Sequence, residues 1–99
     1  MNKLKIYLSG PISGVDNYKE NFALAEATLH ERWPDAVIIN PAVLPEGLSN
    51  KDYIMTDLQL LSTANILALI PGWETSTGAK LEKLFAQYIG GIGIMYLGK

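Results

Sequence analysis

Four short apolar runs alternate along the chain with three longer stretches in which apolar residues return every three or four positions. The first run, KLKIYL over residues 3–8, is rich in β-formers and stops at the turn sequence Ser9-Gly10-Pro11. Over residues 18–32, Tyr18, Phe22, Ala25 and Leu29 recur at helical spacing; Asp16 or Asn17 can cap the start, and Pro34 ends the helix. Residues 36–39 (AVII) predict a second buried strand, closed by Asn40-Pro41 and followed by a loop containing Pro45 and Gly47. Ser49 or Asn50 then caps a second helix that reaches about Thr63. Residues 65–70 (NILALI) predict a third strand, stopped by Pro71-Gly72. A third helix over residues 77–89 gathers Leu81, Leu84, Phe85, Tyr88 and Ile89 on one face and breaks at Gly90-Gly91; residues 92–97 predict a fourth strand. No repeat, linker or low-complexity segment interrupts this order, so a single domain over residues 1–99 is expected.

Strands that alternate with helices imply βαβ units and a parallel sheet. Short strands without polar alternation agree, since both faces of such a sheet are covered. With right-handed crossovers, the expected architecture is α/β: a flavodoxin-like three-layer αβα fold with a four-stranded parallel sheet in the order 2-1-3-4. The topological switch then falls between strands one and three, where doubly wound sheets bind ligands. The loops richest in small polar residues follow those two strands: SGPISG (residues 9–14) and PGWETSTG (residues 71–78). They are expected to face each other across one crevice.

Composition narrows the function classes. In 99 residues, 48% are hydrophobic and 18% charged, so apolar surface is left over and a homo-oligomer is expected. A net charge of −2 offers no long-range attraction for a nucleic-acid polymer or an anionic membrane, so an anionic ligand must be held by local donors. The absence of cysteine excludes disulfides and thiolate chemistry, and a lone histidine excludes a multi-histidine metal site. The first residues enter a strand directly, without a signal-like or long apolar segment, which points to the cytoplasm.

Three features carry candidate chemistry. Residues 66–82, ILALIPGWETSTGAKLE, hand a hydroxyl-rich loop to a helix N-terminus, where free N–H groups and the helix dipole favour an anion. One of Thr75, Ser76 and Thr77 caps the helix, leaving the others for a phosphate. On the second helix Tyr53, Ile54, Leu58, Leu60, Leu61 and Ala64 form one apolar arc, and Asp57 is the only charge inside it. A carboxylate there either points into a polar cavity or satisfies nearby backbone or lysine groups. Glu82 borders the apolar face of the third helix; it is either a solvated glutamate or the reactive group of the crevice. Two carboxylates flanking one crevice suit glycosidic-bond chemistry, one attacking the anomeric carbon and the other orienting groups or managing a proton. SGPISG lets backbone approach a phosphate or sugar but matches neither a Walker A loop nor a dinucleotide fingerprint. Tyr7 is either core or a hydroxyl in the crevice. Trp73 stacks on a base or seals a subunit interface, Glu74 is a more exposed rival acid, and His30 is expected to be solvated.

With IYLSGPISG, INPA and DYIMTDLQLLSTANILALIPGWETSTGAKLE in place, nearly the whole chain resembles the nucleoside 2-deoxyribosyltransferase-like superfamily, and within it a small bacterial and phage branch (DUF4406-like). In the deoxyribosyltransferases and deoxynucleoside 5′-monophosphate N-glycosidases, a helix-borne glutamate four residues after a glycine is the nucleophile, and Gly78 with Glu82 match that spacing. Ser76 falls where the monophosphate hydrolases hold the 5′-phosphate; Asp57 corresponds to their second-helix aspartate and Tyr7 to their strand-one tyrosine. The resemblance therefore implies Glu82 and Asp57 as catalytic, with substrate held by Tyr7, Ser9, Gly10, Ile12, Ser13, Gly14, Ser76 and Gly78. It implies a covalent deoxyribosyl-enzyme, no metal or organic cofactor, and a deoxynucleoside or nucleotide as substrate. The alternative is non-catalytic binding of a nucleotide or ADP-ribose-like metabolite. Lys80 replaces a glycine common in the superfamily, and Ser76 an aspartate usual in the transferases. Relatives continue past the fourth strand with residues that help close the site, often from a neighbouring subunit, so a shared site is expected.

Overall fold

The computed structural model describes residues 3–98. Four strands, β1 (Lys5–Ser9), β2 (Val37–Ile39), β3 (Ile66–Leu69) and β4 (Gly93–Tyr96), alternate with three helices, α1 (Tyr18–Arg32), α2 (Asn50–Leu61) and α3 (Thr77–Ile89). Single 3₁₀ turns follow β2 (Pro41–Val43) and β3 (Trp73–Thr75). The strands are all parallel in the order β2-β1-β3-β4, the flavodoxin-like arrangement the sequence predicts.

Alternation along β1 decides which residues reach which layer. Ile6 and Leu8 enter one core with Phe22, Ala25 and Leu29 of α1. Tyr7 enters the other with Leu61 and Ala64, at and just beyond the end of α2, and Ala86 of α3. Ser9 shares the parity of Tyr7, so the C-terminal end of β1 delivers a hydroxyl to the α2–α3 side. In register, Tyr7 lies beside Leu67 of β3 and Ser9 beside Leu69, placing both next to the strand that leads into α3.

Element ends follow local chemistry. Ser49, rather than Asn50, caps α2: its side chain accepts from the Asp52 N–H, and the Asp52 carboxylate accepts in return from the Ser49 N–H. That helix stops at Leu61, short of Thr63, where the Ser62 and Thr63 hydroxyls donate to the carbonyls of Gln59 and Leu60. Asn17 occupies the cap position of α1 without a side-chain bond. At the crevice end of β1, Gly10 packs against β3's exit so closely that a Cβ there would lie 2.9 Å from the Ile70 Cβ. Any larger residue pushes the two loops of the switch point apart.

Candidate active site

The parallel sheet ends in a crevice of about 590 Å³, within the range of small-molecule sites. Four segments wall it: the loop after β1, the first turns of α1 with Tyr18 and Phe22, the stretch from the Pro41–Val43 turn through the first two turns of α2, and the start of α3. Ser9, Gly10, Ile12, Ser13, Asp57, Ser76, Gly78 and Glu82 all line it, so the two Gly- and Ser-rich loops do converge. Two expected residues lie elsewhere. Tyr7 is fully buried behind the crevice, with its ring in the core. Gly14 is exposed at φ 77°, with open space where a side chain would stand, and it turns the chain outside the lining.

Glu82 is the centre of the arrangement. It sits in the second turn of α3, only 8% exposed, and is the one charged residue among the buried positions described. Tyr7 Oη donates to its Oε2 at 2.8 Å, and Ser9 Oγ donates to its Oε1. Burial pushes its carboxyl up to about 7; the bonds from Ser9 and Tyr7 hold that rise back, and the Asp57 charge adds to it. Tyr7 itself is held far above its ordinary value, first by burial and then by the charges of Glu82 and Asp57, so it stays a protonated donor.

Asp57 faces the same cluster from α2. Burial pushes its carboxyl up to about 6, moderated by the nearby Tyr7 hydroxyl. That hydroxyl has one proton, and it goes to Glu82. The Asp57 Oδ1 is buried and left without a hydrogen-bond partner among the described residues. Buried acceptors are rarely left so, and the Asp57 side chain contributes to the crevice lining. The charge in an apolar helix face thus turns towards the cavity.

At the start of α3, Ser76 is the cap: its Oγ accepts from the Ala79 N–H at 3.1 Å, and its carbonyl from the Lys80 N–H at 3.0 Å. Thr75 instead donates to the Gly72 carbonyl. The first helical residues, Thr77 and Gly78, keep N–H groups that no helical carbonyl can reach, and the Ser76 hydroxyl proton remains free to donate. All three residues line the crevice, which gives one wall the donors an anion needs.

The remaining expectations have mixed outcomes, with Glu74 as expected and His30 not. Trp73 does not line the crevice; it packs against Tyr96, ring centroids 5.9 Å apart, with the Lys83 ammonium 4.8 Å from its ring. His30 is half-buried rather than solvated, its Nε2 3.3 Å from the Ala36 carbonyl oxygen. Glu74 is exposed and outside the crevice.

The sequence marks the wall after β2 only through the INPA stretch (residues 39–42) of the resemblance, without a role for it. Asn40 builds it: its side chain accepts from the Ala42 N–H and donates to Glu26, fixing the Pro41–Val43 turn. Tyr53 Oη donates to the Pro45 carbonyl at 2.6 Å, and Lys19 pairs with Glu46 at 2.7 Å, fastening the loop between them. Tyr53 and Ile54 precede Asp57 by one helical turn, so the helical spacing that singled out Asp57 marks them as its neighbours on the crevice side.

Among the described residues no three His, Cys, Asp or Glu side chains gather as a metal-binding group, and no helix is long and apolar enough to cross a membrane. Fold and site together define a flavodoxin-like α/β protein with a pair of carboxylates in a crevice at the C-terminal edge of its sheet. Over residues 4–96 the chain matches the family described as "Domain of unknown function (DUF4406)", and it belongs to that family. No curated protein and no solved structure matches it.

Proposed function

We propose that the crevice cleaves the N-glycosidic bond of a 2′-deoxynucleoside 5′-monophosphate through a covalent intermediate on Glu82. The observation that carries this reading is a glutamate buried at a crevice wall with a hydroxyl donor on each oxygen, opposite an aspartate with an orphaned oxygen. A carboxylate that merely complements a helix dipole has no need of burial or of two donors from β1. The likeness to the nucleoside 2-deoxyribosyltransferase-like superfamily supports the same assignment for Gly78, Glu82, Ser76, Asp57 and Tyr7.

In the first step a Glu82 oxygen attacks C1′, the C1′–N bond breaks, and its electron pair leaves on the base, which takes up one proton. Asp57 supplies that proton or orients the sugar. In the second step water attacks C1′, the ester C–O bond breaks, Glu82 recovers its electron pair, and the water proton is released. A second base in place of water gives transfer instead of hydrolysis. The Ser76 hydroxyl and the N–H groups of Thr77 and Gly78 hold the 5′-phosphate. No resident metal or organic cofactor takes part in this scheme.

Incubation with the four deoxynucleoside monophosphates and chromatography for free base tests the reading. Wild type should release base, and Glu82→Ala should lower the rate by about a thousandfold or more. Persistent release by Glu82→Ala rules out Glu82 as nucleophile. Nucleotide binding without base release by wild type makes the chain a non-catalytic nucleotide binder.

The crevice also reaches an apolar surface. Leu81 lines it and begins a stripe on α3 with Leu84 and Tyr88, which are 63% and 88% exposed. We place a second copy of the chain on that stripe, at the rim of the site.

A further inference from the structure

The Glu82 carboxylate is gripped at both oxygens, and the two grips differ in kind. Tyr7 is fully buried behind the crevice, whereas Ser9 is 1% exposed yet contributes to the crevice wall. Ser9 is the last residue of β1, at the edge where strand gives way to the Gly10 loop, and it lines the crevice together with the Glu82 to which its hydroxyl donates. A serine at a strand end beside an apolar β3 residue needs no hydroxyl for packing. Its proton is nonetheless spent on Glu82. Resting on the glycosidase reading above, we infer that Ser9 is a positioning residue whose hydrogen bond holds Glu82 ionised and eases its departure from C1′ in the second half-reaction.

The chemistry follows from where charge resides. A donor to a carboxylate binds the ionised form more strongly than the ester, because the ester oxygen carries less negative charge. The Ser9 bond therefore opposes ester formation slightly and favours its breakdown, when water attacks C1′ and the C1′–O electron pair returns to Glu82. It also works against burial by favouring loss of the Glu82 proton. The titratable groups that face Glu82 are Tyr7 from β1 and Asp57 from α2; Tyr7 is a neutral donor and Asp57 a second acid, so neither duplicates Ser9 as a donor beside the substrate space.

The titration of Glu82, followed by carboxyl ¹³C NMR without substrate, separates this inference from the glycosidase reading. In Ser9→Ala, removal of one hydrogen bond to a charged group should move the Glu82 titration upward by about one pH unit. Ser9→Thr, which keeps the hydroxyl, should restore it. In turnover, Ser9→Ala should lower kcat/KM about tenfold at pH 6 and much less at pH 8.5, where Glu82 is ionised in both proteins; at pH 8.5 the slower ester breakdown should let the deoxyribosyl adduct accumulate enough for intact mass spectrometry. A Glu82 titration unmoved in Ser9→Ala overturns the inference, whatever the activity. So does a rate loss equal at both pH values with no adduct. A shifted titration in a protein that never releases base upholds the hold on Glu82 and instead overturns the glycosidase reading and the leaving-group role with it.

Discussion

Tyr7 and Glu82 stand 75 residues apart in the chain, yet the tyrosine hydroxyl lies 2.8 Å from the glutamate Oε2 in the buried layer between sheet and helix. The bond fixes α3 to β1 through a group that would otherwise be costly to bury. It also ties the protonation of the site to the stability of the fold, since closing the sheet over Glu82 costs more when its carboxyl is charged.

The first prediction is a stability that falls as pH rises. Glu82 has its folded value raised from 4.5 to about 7, so between those limits the folded chain keeps a proton that the unfolded chain has lost. Stability is fully supported below about 4.5 and declines as pH climbs through 7, by about 3 kcal/mol for this group, taking about 1.36 kcal/mol per pH unit. Asp57, raised from 3.8 to about 6, acts with the same sign in a lower window. The exposed Glu46, held below its ordinary value by Lys19, acts oppositely but only in the acid range. Thermal denaturation should therefore give a melting temperature on the order of 10 °C higher at pH 5 than at pH 8. Glu82→Gln should flatten the dependence between pH 6 and 8. An equal slope in both proteins contradicts the assignment.

That coupling was only partly legible in the sequence. The strand order was, because short apolar strands alternating with amphipathic helices leave few parallel topologies. Asp57 was, because one charge within an apolar arc is an anomaly of helical spacing. Glu82 was identifiable as a border residue of α3, but its donors were not: the bonds from Tyr7 and Ser9 depend on the pairing of β1 with β3 and the docking of α3, contacts between distant parts of the chain. The INPA stretch after β2 was visible but its role in the wall was not, for a related reason, since Asn40 shapes it by bonding to Glu26 on another element. His30 was misjudged because residue type alone does not reveal that the Ala36 carbonyl lies beside it, and of the two places considered for Trp73 only the base-stacking one falls away, since Tyr96 rather than the crevice lies beside it.

Asp57 offers a second prediction, with function and stability moving in opposite directions. At pH 8 its carboxylate is ionised with Oδ1 buried and unpartnered among the described residues. Asp57→Asn removes that charge and should raise the unfolding free energy at pH 8 by about 1 kcal/mol, a figure discounted for the solvent that still reaches the group. At pH 5 the gain should shrink, because the wild-type carboxyl is then mostly protonated. Base release should fall at both pH values. Urea denaturation at the two pH values reads the first effect; a variant less stable at pH 8 than wild type would show that Asp57 has a stabilising partner instead.

The last prediction concerns the surface of α3. Leu84 and Tyr88 expose large apolar side chains on the face that Leu81 carries into the crevice. Covering them removes apolar area from water at roughly 25 cal/mol per Å², and a second copy is the occupant that leaves Leu81 at a shared rim. Sedimentation velocity should show wild type as an oligomer at micromolar concentration. Leu84→Glu combined with Tyr88→Ser, both outside the crevice lining, should give a monomer that keeps its fold by circular dichroism. If the site is shared, the monomer should also lose base release, and dilution of wild type below its dissociation constant should reproduce the loss. A wild type that sediments as a monomer at every concentration removes the partner copy, and with it any contribution of a neighbouring chain to the Glu82 crevice.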